Sequence, residues 1–175
     1  TVTDYFQNDL EQFTFPEVDK LCYFTADGDP LPVSKGRTYL PLATKKAIQF
    51  LKNKRKKGFF LMIEGSQIDW GGHANEADYI ITEMLDFNQT IGDVLDFARQ
   101  DKNTLVIITA DHETGGFAIN PGSIMGQLKT AFTTKKHTAA MIPVFAFGPG
   151  AQLFNGIYEN TEIYSKMNAL LFNPN

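Results

Sequence analysis

Apolar residues fall along this chain in two distinct rhythms. Phe59-Phe60-Leu61-Met62-Ile63 and Leu105-Val106-Ile107-Ile108 are short unbroken apolar runs, the pattern of strands buried on both faces. Between them Ile80, Met84, Phe87, Ile91, Leu95 and Ala98 recur at steps of three and four, which predicts one long amphipathic helix over roughly 76–99. A strand, a helix and a strand in succession predict a parallel pair joined by a right-handed crossover. A third run, Pro143–Phe147, predicts another strand, closed by Gly148-Pro149-Gly150.

Two further helices complete the pattern. Pro41 opens one whose apolar positions Ala43, Ala47, Ile48 and Leu51 keep a helical period. Its basic end, Lys52, Lys54, Arg55, Lys56 and Lys57 before Gly58, suits a helix C-terminus, where cations and a following glycine are favoured. That reading is stronger than a nucleic-acid patch. The last helix spans about 162–171, with Ile163, Met167, Leu170 and Leu171 on its apolar side. Residues 1–40 carry less signal: a short strand over 21–25, then a turn at Asp27-Gly28-Asp29-Pro30. The fold class expected is α/β, a largely parallel central sheet flanked by helices, in one domain over residues 1–175.

Composition narrows the function. With 43% apolar and 21% charged residues the chain suits a globular domain. No stretch reaches the ~18 uninterrupted apolar residues of a membrane span. A net charge of −4 gives no general attraction for nucleic acid, so an anionic substrate would have to be held by local cations such as metal ions. Cys22 is the single cysteine, and its neighbours Leu21, Tyr23 and Phe24 suggest a buried, inert thiol. The first residues lack the basic and apolar regions of a signal peptide, and there is no initiator Met.

All three histidines sit in short polar motifs, two of which also carry acids: Glu64 to Asp69 and His73, Asp111-His112, and Lys136-His137-Thr138. Imidazole and carboxylate are the ligands that hold zinc, and carboxylate suits magnesium. Glu64 and Asp111-His112 follow predicted strands whose carboxyl ends lie on one side of a parallel sheet, where open α/β folds place ligands. Asp69 and His73 are four apart and share a face if a helical turn has begun. His137 reaches the same region if the third strand runs antiparallel or its approach folds back. Taken singly, each residue has a duller reading: a loop acid, a helix cap, a surface imidazole. Six candidate ligands beside predicted strands, with no histidine left over, favour a metal-binding hydrolytic site.

The strings FFLMIEGSQIDWGGHAN, LVIITADHETGGF and KHTAAMIPVFAFGPGA, in this order and spacing, strongly resemble the alkaline phosphatases. KKAIQFLKNKRKKG resembles the family's helix before the first of them, and the likeness covers about residues 41–151. The resemblance implies a magnesium ligand at Glu64, ligands of one zinc at Asp69, His73 and His137, and ligands of a second zinc at Asp111 and His112. Thr114 and Thr138 match positions whose hydroxyls would orient ligands, and Trp70 lies where the family varies near the phosphate. The implied activity is phosphate monoester hydrolysis through a phosphoserine, by a site of two zincs and one magnesium in a periplasmic or secreted protein.

The serines Ser34, Ser66, Ser123 and Ser165 lie in no Asp-Ser-Ala context, the setting of the family's nucleophile. The chain therefore resembles the family's carboxyl-terminal portion, and no nucleophile is assigned to it. It is expected to be inactive alone, to need the amino-terminal part of the same protein, and to self-associate through an open sheet edge. Two other readings use similar metal chemistry or none: a related phosphodiesterase or phosphomutase, and a non-catalytic metal-binding or interaction module.

Overall fold

The computed structural model describes residues 2–6, 10–15, 17–54 and 57–172. Arg55 and Lys56 of the basic run lie outside them. The chain forms two compact units: the residues up to Gly71 together with Glu76–Asp93, and Gly72–Asn75 together with the residues from Val94 onward.

In the first unit, β1 (Val2–Phe6) pairs in parallel with β2 (Lys20–Phe24), Val2 opposite Lys20. Helix α1 (Tyr39–Lys54) carries proline in its first turn, where the missing N–H is no loss, and buries Thr44 and Ile48 one turn apart. Lys52 and Lys54 lie in its last turn, where the helix dipole favours cations. The apolar centre is aromatic. Phe13, 4% exposed, meets Tyr23 edge-on at 5.0 Å and Phe15 at 5.7 Å, and Phe15 meets Phe50 at 5.5 Å. Burial of one such ring contributes about 1.5–3 kcal/mol.

A buried charged clamp closes this unit. The Arg37 guanidinium donates to the Glu83 carboxylate and stands 3.3 Å from Asp86, while the other Glu83 oxygen accepts the Val33 N–H at 2.8 Å. Glu83 and Asp86 project from helix α3 (Ala77–Asp101), one turn apart. Beside the clamp, Gln67 accepts from the Tyr79 hydroxyl and donates to the Pro30 carbonyl. Burial, with Glu83 nearby, raises the Asp86 pKa although Arg37 opposes the shift.

Helix α2 (Gln67–Ala74) is separated from α3 by Asn75, which takes the left-handed conformation at φ 60°. The Asn75 N–H returns to the Gly72 carbonyl and the Glu76 N–H to the Gly71 carbonyl, the paired bonds of a Schellman stop. Asp69 and His73 therefore do lie on one helix, a turn apart.

The second unit contains three small antiparallel ladders. β3 (Val106–Ile108) pairs with β8 (Phe145–Phe147), β4 (Glu113–Thr114) with β7 (His137–Thr138), and β5 (Ala118–Ile119) with β6 (Thr130–Ala131). Helix α4 (Thr161–Phe172) follows, and Ala98, Val106 and Phe154 are the buried apolar residues. Gly148 ends β8 with φ 106°, and a Cβ there would stand 2.2 Å from the Thr104 carbonyl oxygen, so only glycine fits.

The expected crossover differs in its ladder. Residues 59–63 join no strand pair among the described residues, and β3 pairs antiparallel with β8. The physical reason lies in the alternation of the run: Phe60 and Met62 are 59% and 67% exposed, whereas their neighbours are half-buried. An unbroken apolar run cannot by itself distinguish burial on two faces from burial on one. Within the Gly115–Lys136 loop, where the sequence marks only glycines and a turn, the short ladder β5–β6 forms, and β4–β7 closes the loop at its base.

Candidate metal centre

His112 and His137 meet because of strand register. β4 and β7 pair Glu113 with Thr138 and Thr114 with His137, which leaves His112 diagonal to His137 on the same face of the ladder. The two imidazoles stack with centroids 3.5 Å apart and planes 16° apart. The antiparallel course of β7 and β8 thus answers how His137 reaches the turn after β3.

His73 comes to the same place from the last turn of α2. Its Nε2 lies 3.2 Å from Nε2 of His137, and the ring centroids are 5.1 Å apart. Two glycines permit this approach. A Cβ on Gly72 would stand 2.7 Å from the Thr114 carbonyl oxygen, and one on Gly115 would stand 2.9 Å from the Gly72 carbonyl oxygen. Backbone here packs directly on backbone.

Hydrogen bonds orient the rings. Nδ1 of His73 lies 2.7 Å from the Lys135 carbonyl oxygen, which can only accept, so Nδ1 is the donor and Nε2 is the ring atom that faces His137. Nδ1 of His112 lies 3.2 Å from the Thr114 hydroxyl, and its Nε2 lies 3.2 Å from the exposed Asp111 carboxylate. Two nitrogens bound at the usual zinc distance to one tetrahedral ion stand roughly 3.4 Å apart. The His73–His137 separation of 3.2 Å fits that donor spacing.

Glu113 is the residue that sequence reasoning missed. One carboxylate oxygen accepts the Gly116 N–H at 3.1 Å and the Thr138 hydroxyl, and the other accepts the Phe117 N–H at 3.1 Å. Burial alone would raise its pKa, but the bonds from Thr138, Phe117 and Gly116, with His112 nearby, hold it below the usual carboxylate value. The signal was present: an acid directly before Thr-Gly-Gly. Gly115 and Gly116 both have positive φ, 93° and 59°, which turns successive N–H groups inward as an anion-binding hollow.

Of the residues expected at the site, His73, Asp111, His112, Thr114, His137 and Thr138 belong to the second unit and lie in this neighbourhood. Glu64, Asp69 and Trp70 belong to the first. Glu64 is exposed at the end of the apolar run and lines a small hollow with Arg37, Tyr39, Ser66 and Gln67. Asp69 occupies the first turn of α2, where a carboxylate is favoured by the helix dipole, and Trp70 beside it is 38% exposed.

The family model for alkaline phosphatase matches residues 38–131. Alkaline phosphatase 3 of Bacillus subtilis (strain 168) is 48% identical over 95 residues, covering 54% of this chain and 20% of that protein. The alkaline phosphatase of the Antarctic bacterium TAB5 superposes with a TM-score of 0.85 at 43% identity, covering 98% of this chain and 52% of its own. A variant of the TAB5 enzyme, with Mg bound in its M3 site, gives a TM-score of 0.84 at 42% identity, with coverage of 97% and 52%. The α/β fold is thus alkaline-phosphatase-like, and the chain spans about half the length of these solved relatives.

Proposed function

Because this chain belongs to the alkaline phosphatase family, we propose that it supplies the metal ligands of a phosphate monoester hydrolase. The observation that carries this reading is the three-histidine cluster, with His73 and His137 nitrogens 3.2 Å apart and His112 stacked on His137.

In this reading Asp69, His73 and His137 hold one zinc, Asp111 and His112 contribute to a second, and Glu64 serves a magnesium. The donor set suits these ions, with imidazole and carboxylate for zinc and carboxylate oxygen for magnesium. Held by these residues, such cations would supply Lewis-acid stabilisation of charge on a phosphoryl group. The residues of this chain do the rest by placement. Lys135 fixes the His73 tautomer through its carbonyl, Thr114 steadies His112, and the β4–β7 ladder holds His112 beside His137. Trp70 tunes affinity for metal or phosphate. The phosphoserine-forming nucleophile is assigned to none of the chain's four serines. The 175 residues act as one carboxyl-terminal segment of the catalytic domain, partnered by the rest of the protein and working in the periplasm or outside the cell. Among the described residues no helix is long and apolar enough to cross a membrane.

The test is turnover of p-nitrophenyl phosphate and its bis-ester by the full-length protein, before and after chelation and after return of zinc and magnesium. Monoester hydrolysis that disappears with the metals and returns with them is expected. Preference for the diester, or turnover indifferent to chelation, overturns the reading.

A further inference from the structure

Glu113 has a geometry that the ligand set does not explain. It lies between two residues of the cluster's own loop yet turns its carboxylate to the protein: toward the Gly116 and Phe117 amides on its own strand's exit turn, and toward the Thr138 hydroxyl across the ladder. Thr138 adjoins His137 in sequence and Glu113 adjoins His112, so this single side chain ties together the two backbone segments that carry the stacked rings. The ladder itself is only two residues long on each strand. Ladders this short leave few backbone bonds to set the spacing, and a charge-assisted bond to a hydroxyl is stronger and more directional than a neutral one.

We propose that Glu113 is a positioning residue, clamping the Asp111-His112 turn to the His137 strand so that the two imidazoles are held in their stacked arrangement before any cation arrives. The inference rests on the metal reading of the site, and it goes further by naming what preorganises it. The carboxylate is needed in full. An amide at the same position keeps one accepting oxygen but presents N–H groups to either the Gly116 or the Phe117 amide, so part of the clamp becomes repulsive. Removal of the Thr138 hydroxyl cuts the cross-strand half and leaves the turn half.

Three variants of the full-length protein test this: Glu113→Gln, Thr138→Val and Thr138→Ser. Two readouts are used, the ring-proton NMR signals of His112 and His137 in metal-free protein, and Co2+ affinity with its visible spectrum. Glu113→Gln and Thr138→Val are expected to shift both histidine signals and weaken Co2+ binding roughly 10–100-fold, the range for lost supports of ligands. Thr138→Ser restores the hydroxyl and is expected to recover parental shifts and an affinity within a few-fold. Parental shifts and affinity in Glu113→Gln overturn the proposal. So do altered values in Thr138→Ser equal to those of Thr138→Val, since the hydroxyl would then not be the operative contact. If the parent binds no Co2+, the metal reading falls, and the ring-proton shifts alone decide whether Glu113 positions the histidines.

Discussion

The two units each concentrate polar side chains, but in opposite electrostatic arrangements. In the first, Arg37 is clamped by Glu83 and Asp86, and the charges complement one another inside the protein. In the second, His73 and His137 present nitrogen to nitrogen and His112 stacks on His137, so that like groups meet like. A set of opposite charges is complete by itself and serves the fold. A set of converging donors gains most from a cation, which the first arrangement would repel through its guanidinium. The contrast separates a cluster whose charges are already matched from one whose donors are not.

The largest effect expected is from His137→Ala, which removes the imidazole common to both close pairs. Zinc affinity should fall by more than ~100-fold, beyond the range seen when only a supporting residue is lost. Competition with a chromophoric chelator measures it, and retained affinity would erase the distinction between the units. Glu83→Gln should act in the reverse sense. Breaking a buried pair costs about 3–5 kcal/mol, and both side chains here are at most 6% exposed. Urea unfolding should show that loss, while zinc stoichiometry stays at the parental value.

Gly72→Ala falls between these two kinds of change. Alanine would gain about 1 kcal/mol in helix propensity, but its Cβ would meet the Thr114 carbonyl oxygen at 2.7 Å. Overpacking of that kind costs about 1–3 kcal/mol, so the clash should win. A small net loss of stability together with weakened zinc binding is expected, read by thermal unfolding and chelator competition on one sample. An unchanged zinc affinity would show that the close backbone approach does not set the His73 position.

The smallest effect concerns pH. Asp86 has a raised pKa, chiefly from burial and despite Arg37. A carboxyl raised in the folded state contributes stability below its unfolded pKa and loses that contribution as pH climbs through the folded value. Asp86→Asn does not titrate. The stability difference between variant and parent should therefore move in favour of the variant from acid toward neutral pH. A pH-independent difference in urea midpoints would show that Asp86 is as well solvated folded as unfolded.

Helical periodicity was legible in the sequence because it repeats over many residues. The long helix was expected over about 76–99 and runs Ala77–Asp101, and the last was expected over about 162–171 and runs Thr161–Phe172. Strand pairing was harder to read. Phe59–Ile63 and Leu105–Ile108 look alike as strings, yet only the second contributes a paired strand, antiparallel to β8. An apolar run reports burial but not which neighbour supplies the hydrogen bonds. At the site, the histidines stood out because each lay in a short polar motif, two of them beside an acid. Glu113 did not, since its partners are two amides of a glycine turn and a hydroxyl 25 positions away. Such partners exist only once the turn has folded.

The two-residue pairing of β4 with β7 has a consequence for how this loop could change over time. Side chains alternate along a strand, so slippage by one position would exchange Thr138 for His137 and turn the imidazole away from His112. Length can vary at the tip between β5 and β6, where surface segments tolerate insertion, provided the returning strand re-enters in step. Divergence among descendants of this sequence should therefore accumulate in the excursion and spare its two anchoring dipeptides.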